Sequence, residues 1–174
     1  MTMPAELTAR ALPRLAAGTR VLVFGIGNPG RGDDALGCRL VEALEDAGLP
    51  PGVTLDANYQ LTPEDALTIA EHDVVVFADA TVAPDAPTPY TLTLADTADT
   101  PTFSTHAMSI GSVLALARQL SGRVPQAWTM AIPAYGFEIN DVLTSQAAAN
   151  LACACDDVRT WLMSLEPHVV GSEP

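Results

Sequence analysis

Residues 20–47, RVLVFGIGNPGRGDDALGCRLVEALEDA, decide the fold. Residues 20–26 are an apolar run of strand length that ends in glycines, the pattern of a strand buried on both faces. Residues 35–47 then space Leu36, Leu40, Val41 and Leu44 at helical intervals, and Gly48-Leu49-Pro50-Pro51 stops the helix. Further along, strands are expected at 53–58, 74–78 and 128–132, and helices at 63–71, 109–119 and 144–165. Thr62 is the expected N-cap of the 63–71 helix, with Glu64 and Asp65 in its first turn. Residues 90–94 alternate between proline-rich segments, which suits a sheet edge. Strands alternating with amphipathic helices imply an α/β fold, a mostly parallel sheet covered by helices on both faces, with ligands at the carboxyl ends of its strands. The domain is expected over 19–164, with tails at 1–18 and, polar in character from Ser164, at 165–174.

The chain has 174 residues, 48% of them hydrophobic and 17% charged, which suits one domain with a full core. A net charge of −13 disfavours nucleic acid and anionic membrane surfaces as partners. All eight basic residues are arginines. The lack of lysine excludes P-loop phosphate binding, Schiff-base catalysis and pyridoxal phosphate chemistry. Three cysteines, Cys38, Cys153 and Cys155, have no framework spacing, and Cys153 and Cys155 are expected to pack in the core. With neither a signal-like start nor an apolar run of the roughly 20 residues that span a bilayer, the expected location is the cytoplasm, with reduced thiols.

Gly25-Ile26-Gly27-Asn28-Pro29-Gly30 also satisfies the dinucleotide pattern G-x-G-x-x-G, with Asp56 as a ribose ligand, so a nucleotide-dependent oxidoreductase is one reading. Asp33 and Asp34 oppose it, because they put two carboxylates at the helix start, where a pyrophosphate needs bare N–H groups. One of the pair can cap the helix while the other projects over the carboxyl edge of the sheet. Asp79 ends the buried run VVVFAD and points into the same crevice. Of three histidines, His72 reads as an exposed helix end and His168 lies in the tail, leaving His106, just before a helix, as the one placed for a site. Two carboxylates and an imidazole suit Zn²⁺, Ni²⁺ or a similar ion with positions left open.

The segment from Gly25 to Gly37, the strand-terminal Asp79 and His106 before a helix together resemble the hydrogenase maturation endopeptidases, and the resemblance runs over residues 20–161. It implies a three-layer sandwich built on a twisted five-stranded sheet. It also implies an aspartic-type endopeptidase that removes the C-terminal extension of a nickel-iron hydrogenase large-subunit precursor after nickel insertion. The family's metal-binding positions fall on Asp34, Asp79 and His106, which makes these the expected catalytic and metal residues. Gly25, Gly27, Asn28, Asp33 and Gly37 form the motif loop. Nickel arrives with the precursor, and no organic cofactor is implied. Residues 56–65 and 132–141 are similar to the subgroup serving NAD-coupled cytoplasmic hydrogenases. Within the second, Phe137 and Glu138 are either an ordinary loop with one packed aromatic or contacts to the precursor. A non-catalytic protein that senses metal on a partner is a further alternative.

Overall fold

A computed structural model describes residues 12–98, 100–102 and 107–166. The element order is β1 (Val21–Ile26), a 3-10 turn (Gly32–Ala35), α1 (Leu36–Glu45), β2 (Val53–Asn58), α2 (Asp65–Ala70), β3 (Val74–Val82), β4 (Thr91–Leu94), α3 (Ile110–Ser121), β5 (Gln126–Ala134) and α4 (Ser145–Met163). The five strands lie in the order β2-β1-β3-β5-β4, all parallel except β4, which runs antiparallel to β5 at the edge, the place expected for residues 90–94.

Alternation along the central strands builds the three layers. Val21, Val23, Val74 and Val76 face one core with α1 and α4, while Leu22, Phe24, Val75 and Phe77 face another with α2 and α3. Each layer removes apolar surface from water at roughly 25 cal/mol per Å², so a strand buried on both faces contributes twice. α1 sits close against the sheet because two glycines meet: a Cβ on Gly25 would strike the carbonyl of Gly37, and one on Gly37 would strike the carbonyls of Ala78 and Ile26. Among the described residues no helix is long and apolar enough to cross a membrane.

Several local expectations are corrected. β3 runs on to Val82 instead of stopping at residue 78, because β5 continues to pair with it as far as Val82↔Ala134. α2 begins at Asp65, whose carboxylate accepts from the Thr62 N–H (2.7 Å) and hydroxyl (3.0 Å), so Thr62 is a donor to the helix start and not its cap. His72 is buried, with Nδ1 2.7 Å from the Thr68 carbonyl and Nε2 2.9 Å from Thr54 Oγ1, which ties the end of α2 to β2. Cys153 is exposed, since the packed face of α4 is the one carrying Ala147, Ala154, Val158 and Leu162, whereas Cys155, half-buried, packs against the core as expected. Leu165 is buried in the core, not part of a polar tail. Leu12 and Leu15 pack against the same core, and the Pro13 carbonyl accepts from Trp161 Nε1 (2.7 Å).

At the opposite end from the glycine loop, Asp73 accepts from Arg20 Nη2 (3.0 Å) and Arg123 Nη2 (2.8 Å) and from the Arg20 backbone N–H (2.9 Å). The Arg20 guanidinium is the main cause that holds its carboxyl well below the usual carboxylate range. Its side chain is 36% exposed, so solvent screening limits the value of the cluster. Asp73→Ala is expected to cost about 1 kcal/mol in urea unfolding at neutral pH. A depressed pKa contributes stability in full above the unfolded value near 3.8 and loses it as pH falls through the far lower folded value, so the cost should shrink steadily in melts run below pH 3.8 and vanish only in strong acid.

Candidate functional site

The site lies where β1 runs out. β1 pairs with β3 only as far as Gly25↔Ala78, so Asp79 is the first residue of β3 beyond that neighbour and is held only by β5, through Asp79↔Ala131. Following the alternation of β3, it turns to the α2/α3 side. There it lines a pocket of about 320 Å³ with Ile26, Leu61 and the segment 107–110 at the start of α3. An antiparallel bridge, Met108 N–H to the Leu61 carbonyl (3.0 Å), pins that segment. Ser109 caps α3 by accepting from the Ser112 N–H.

Asp79 accepts from the Ala80 N–H (2.8 Å). Burial pushes its carboxyl up to about 6; the Ala80 bond opposes the rise and the negative charge of Asp34 adds to it. Asp34 therefore acts on Asp79 across the end of β1. Asp34 stands in the 3-10 turn, half-buried, and its Oδ2 accepts from the Asn28 N–H (3.1 Å). Gly27, at φ +143°, lies against the Asp34 carbonyl in a space no Cβ could share. Asn28 closes its own turn by accepting from the Gly30 N–H (2.9 Å).

Neither aspartate caps the helix that follows, contrary to expectation. Asp33 is fully buried and reaches across to the chain after β5. Its Oδ2 accepts from the N–H groups of Tyr135 (2.8 Å) and Gly136 (3.0 Å) and from the Thr144 hydroxyl (2.7 Å), and its Oδ1 accepts from the Thr144 N–H (2.7 Å). Burial pushes this carboxyl up, but the donors outweigh burial and the net shift is downward. Thr144 is in turn the N-cap of α4. No local signal in the sequence points to Tyr135 and Thr144 as partners of the motif loop.

The third expected ligand, His106, lies outside the described residues, as does His168. Among the described residues no three His, Cys, Asp or Glu side chains form a group that could hold a metal ion. Asp34 and Asp79 are near enough for the charge of the first to act on the second.

No protein-family model and no curated protein sequence matches the chain. Solved structures do. HybD, a hydrogenase maturating endopeptidase of E. coli, is 28% identical with a TM-score of 0.65, over 80% of this chain and 89% of that one. An endopeptidase of E. coli solved in solution is 28% identical with a TM-score of 0.64, over 87% and 99%. The nickel-iron hydrogenase maturation protease HycI of Thermococcus kodakarensis KOD1 is 25% identical with a TM-score of 0.64, over 83% and 92%. Over most of its length the chain is thus similar to hydrogenase maturation endopeptidases.

The glycine loop is no phosphate cradle. From Gly27 to Asp34 every backbone N–H already donates within the protein: Gly27 to Asn58, Asn28 to Asp34, Gly30 and Arg31 to Asn28, Gly32 to Asn140, Asp33 to Gly136 and Asp34 to Arg31. A pyrophosphate would have to displace these bonds and face Asp34 as well, which removes the physical basis for the dinucleotide reading. In the loop held by Asp33, Phe137 is half-buried and packs against the α1/α4 core, as an ordinary packed aromatic would. Glu138 is exposed beside Gly32 and Asn140.

Proposed function

We propose that this chain is the endopeptidase that removes the C-terminal extension of a nickel-iron hydrogenase large-subunit precursor once nickel has been inserted. The observation that carries this reading is the pairing of Asp34 and Asp79 at the end of β1, in a fold shared with maturation proteases at 25–28% identity. Nickel enters as part of the substrate. The carboxylates of Asp34 and Asp79 and the imidazole of His106 recognise it, and Ala107, next in sequence to His106, lines the pocket of Asp79. With one carboxylate oxygen left free of the nickel, Asp79 also serves as the aspartic-type general base. In that role Asp79 accepts a proton from the water that attacks the scissile carbonyl carbon. The peptide C–N bond then breaks and the proton passes to the departing amine. Glu138 is the proposed contact to the body of the precursor.

The net charge of −13 favours a protein partner over nucleic acid or membrane, in keeping with action in the cytoplasm. Residues 56–65 and 132–141 support a role with NAD-coupled hydrogenases. The test incubates the purified protein with nickel-loaded and nickel-free precursor and follows intact mass. Loss of the extension from the loaded form alone is expected. Cleavage of both forms equally would overturn nickel recognition, and binding without any mass loss would leave a non-catalytic sensor.

A further inference from the structure

The outer edge of β2 is open. Among the described residues β2 pairs only with β1, so one side of it carries no strand. The backbone groups of successive residues in a strand turn to alternate sides. The bond from Gly27 N–H to the Asn58 carbonyl puts Asn58, and with it Thr54 and Asp56, on the β1 side. Val53, Leu55 and Ala57 turn outward, in keeping with the bonds from Val53 N–H to the Pro50 carbonyl and from Ala57 N–H to Asp56 Oδ1. The N–H and carbonyl of Leu55 and the carbonyl of Ala57 thus face away from the sheet.

Beside this edge lies a pocket of about 440 Å³ between β2 and α1. Cys38, Val41 and Leu55 are its apolar lining residues and Glu42, Glu45 and Asp56 its acidic ones, with the Asp56 carboxylate turned to the outer edge by its bond from the Ala57 N–H. Glu42 is paired with Arg39 at 2.8 Å, whereas Glu45 and Asp56 have no cation partner among the described residues. Tyr59, 65% exposed, adds an aromatic face that can stack on a cation. Gly27 and Pro29 of the glycine loop also line it, and the charges of both Asp34 and Asp79 act on the Cys38 thiol, so the groove adjoins the paired aspartates.

We propose that this groove takes an extended segment of the precursor as an added strand on β2, with a lysine or arginine side chain of that segment received by Glu45 and Asp56. Backbone bonds to Leu55 and Ala57 give affinity without sequence preference. The acidic lining selects the basic side chain, whose aliphatic stem covers Val41 and Leu55. The inference rests on the proposed peptidase function for the identity of the segment, though not for the existence of the groove.

The test uses two ten-residue extended peptides, one with a central arginine and one with glutamate in its place, bound to the full chain and followed by NMR. The arginine peptide should bind at least about tenfold tighter. It should shift the amides of Leu55 and Ala57. N-methylation at alternate positions should abolish binding in one phase and spare it in the other. E45Q/D56N should erase the preference, since the asparagine amide oxygen still offers the Ala57 N–H an acceptor while the charge is gone. Equal binding of both peptides, equal effects of both N-methyl phases, or unmoved Leu55 and Ala57 amides would overturn the proposal. In precursor processing the same double variant should raise KM about fivefold with little change in kcat. Normal KM would overturn the groove and leave the peptidase standing. Phase-dependent peptide binding by a protein that never cleaves the precursor would do the reverse.

Discussion

Asp79→Asn should give a protein that is more stable than wild type at pH 7 and unable to process the precursor. Burial and the neighbouring charge of Asp34 raise the Asp79 carboxyl from 3.8 to about 6. A raised carboxyl stabilises the folded state while protonated, fully below the unfolded pKa, and that stabilisation is lost as pH rises through the folded value. Above pH 6 the folded protein therefore holds an ionised carboxylate that costs stability. Two units at about 1.4 kcal/mol each, reduced by solvent at the pocket mouth, leave on the order of 2 kcal/mol for asparagine to recover. Thermal melts with a chelator present should show the variant's advantage at pH 7 and little difference at pH 4. Processing should fall at least about 100-fold, the scale of a lost general base. An equal gain at both pH values would sink the electrostatic account, and full processing by Asp79→Asn would sink the site. Alanine at Asp34 or at His106 should likewise stop processing.

Asp33→Ala should cost about 3–5 kcal/mol and leave little folded protein, because it deletes a buried charge together with its bonds to Tyr135, Gly136 and Thr144. Asparagine is no rescue, since its NH₂ group would face donors. Asp34→Ala loses one bond from the Asn28 N–H and should cost about 1 kcal/mol. Urea unfolding of the two alanine variants separates the roles, and equal costs would contradict this division. Their pH behaviour separates Asp33 from Asp79 as well. The lowered Asp33 pKa stabilises above the unfolded value of 3.8 and is lost as pH falls, so Asp33 feeds acid unfolding whereas Asp79 resists it.

Local pattern carried the strand, glycine loop and helix of residues 20–47, the strand at 53–58 and the edge position of 90–94, because periodicity and turn chemistry act over a few residues. Asp34 and Asp79 were also legible, one by its place in the loop and one by its place after an apolar run. His72 was misread because its partner Thr54 is 18 residues away, and Cys153 because one helix turn does not say which face the sheet will cover.

Residue order and polarity were enough to specify an α/β chain with acids at the carboxyl edge of its sheet. Tertiary structure alone decided which of two adjacent aspartates is structural. Asp33 meets Tyr135 and Thr144 across separations of 102 and 111 residues, and that meeting depends on the strand order β2-β1-β3-β5-β4 bringing β5 to the side of β3. It also set the pKa of Asp79, because desolvation depends on what surrounds a carboxyl in space, here Ile26, Leu61 and the segment 107–110.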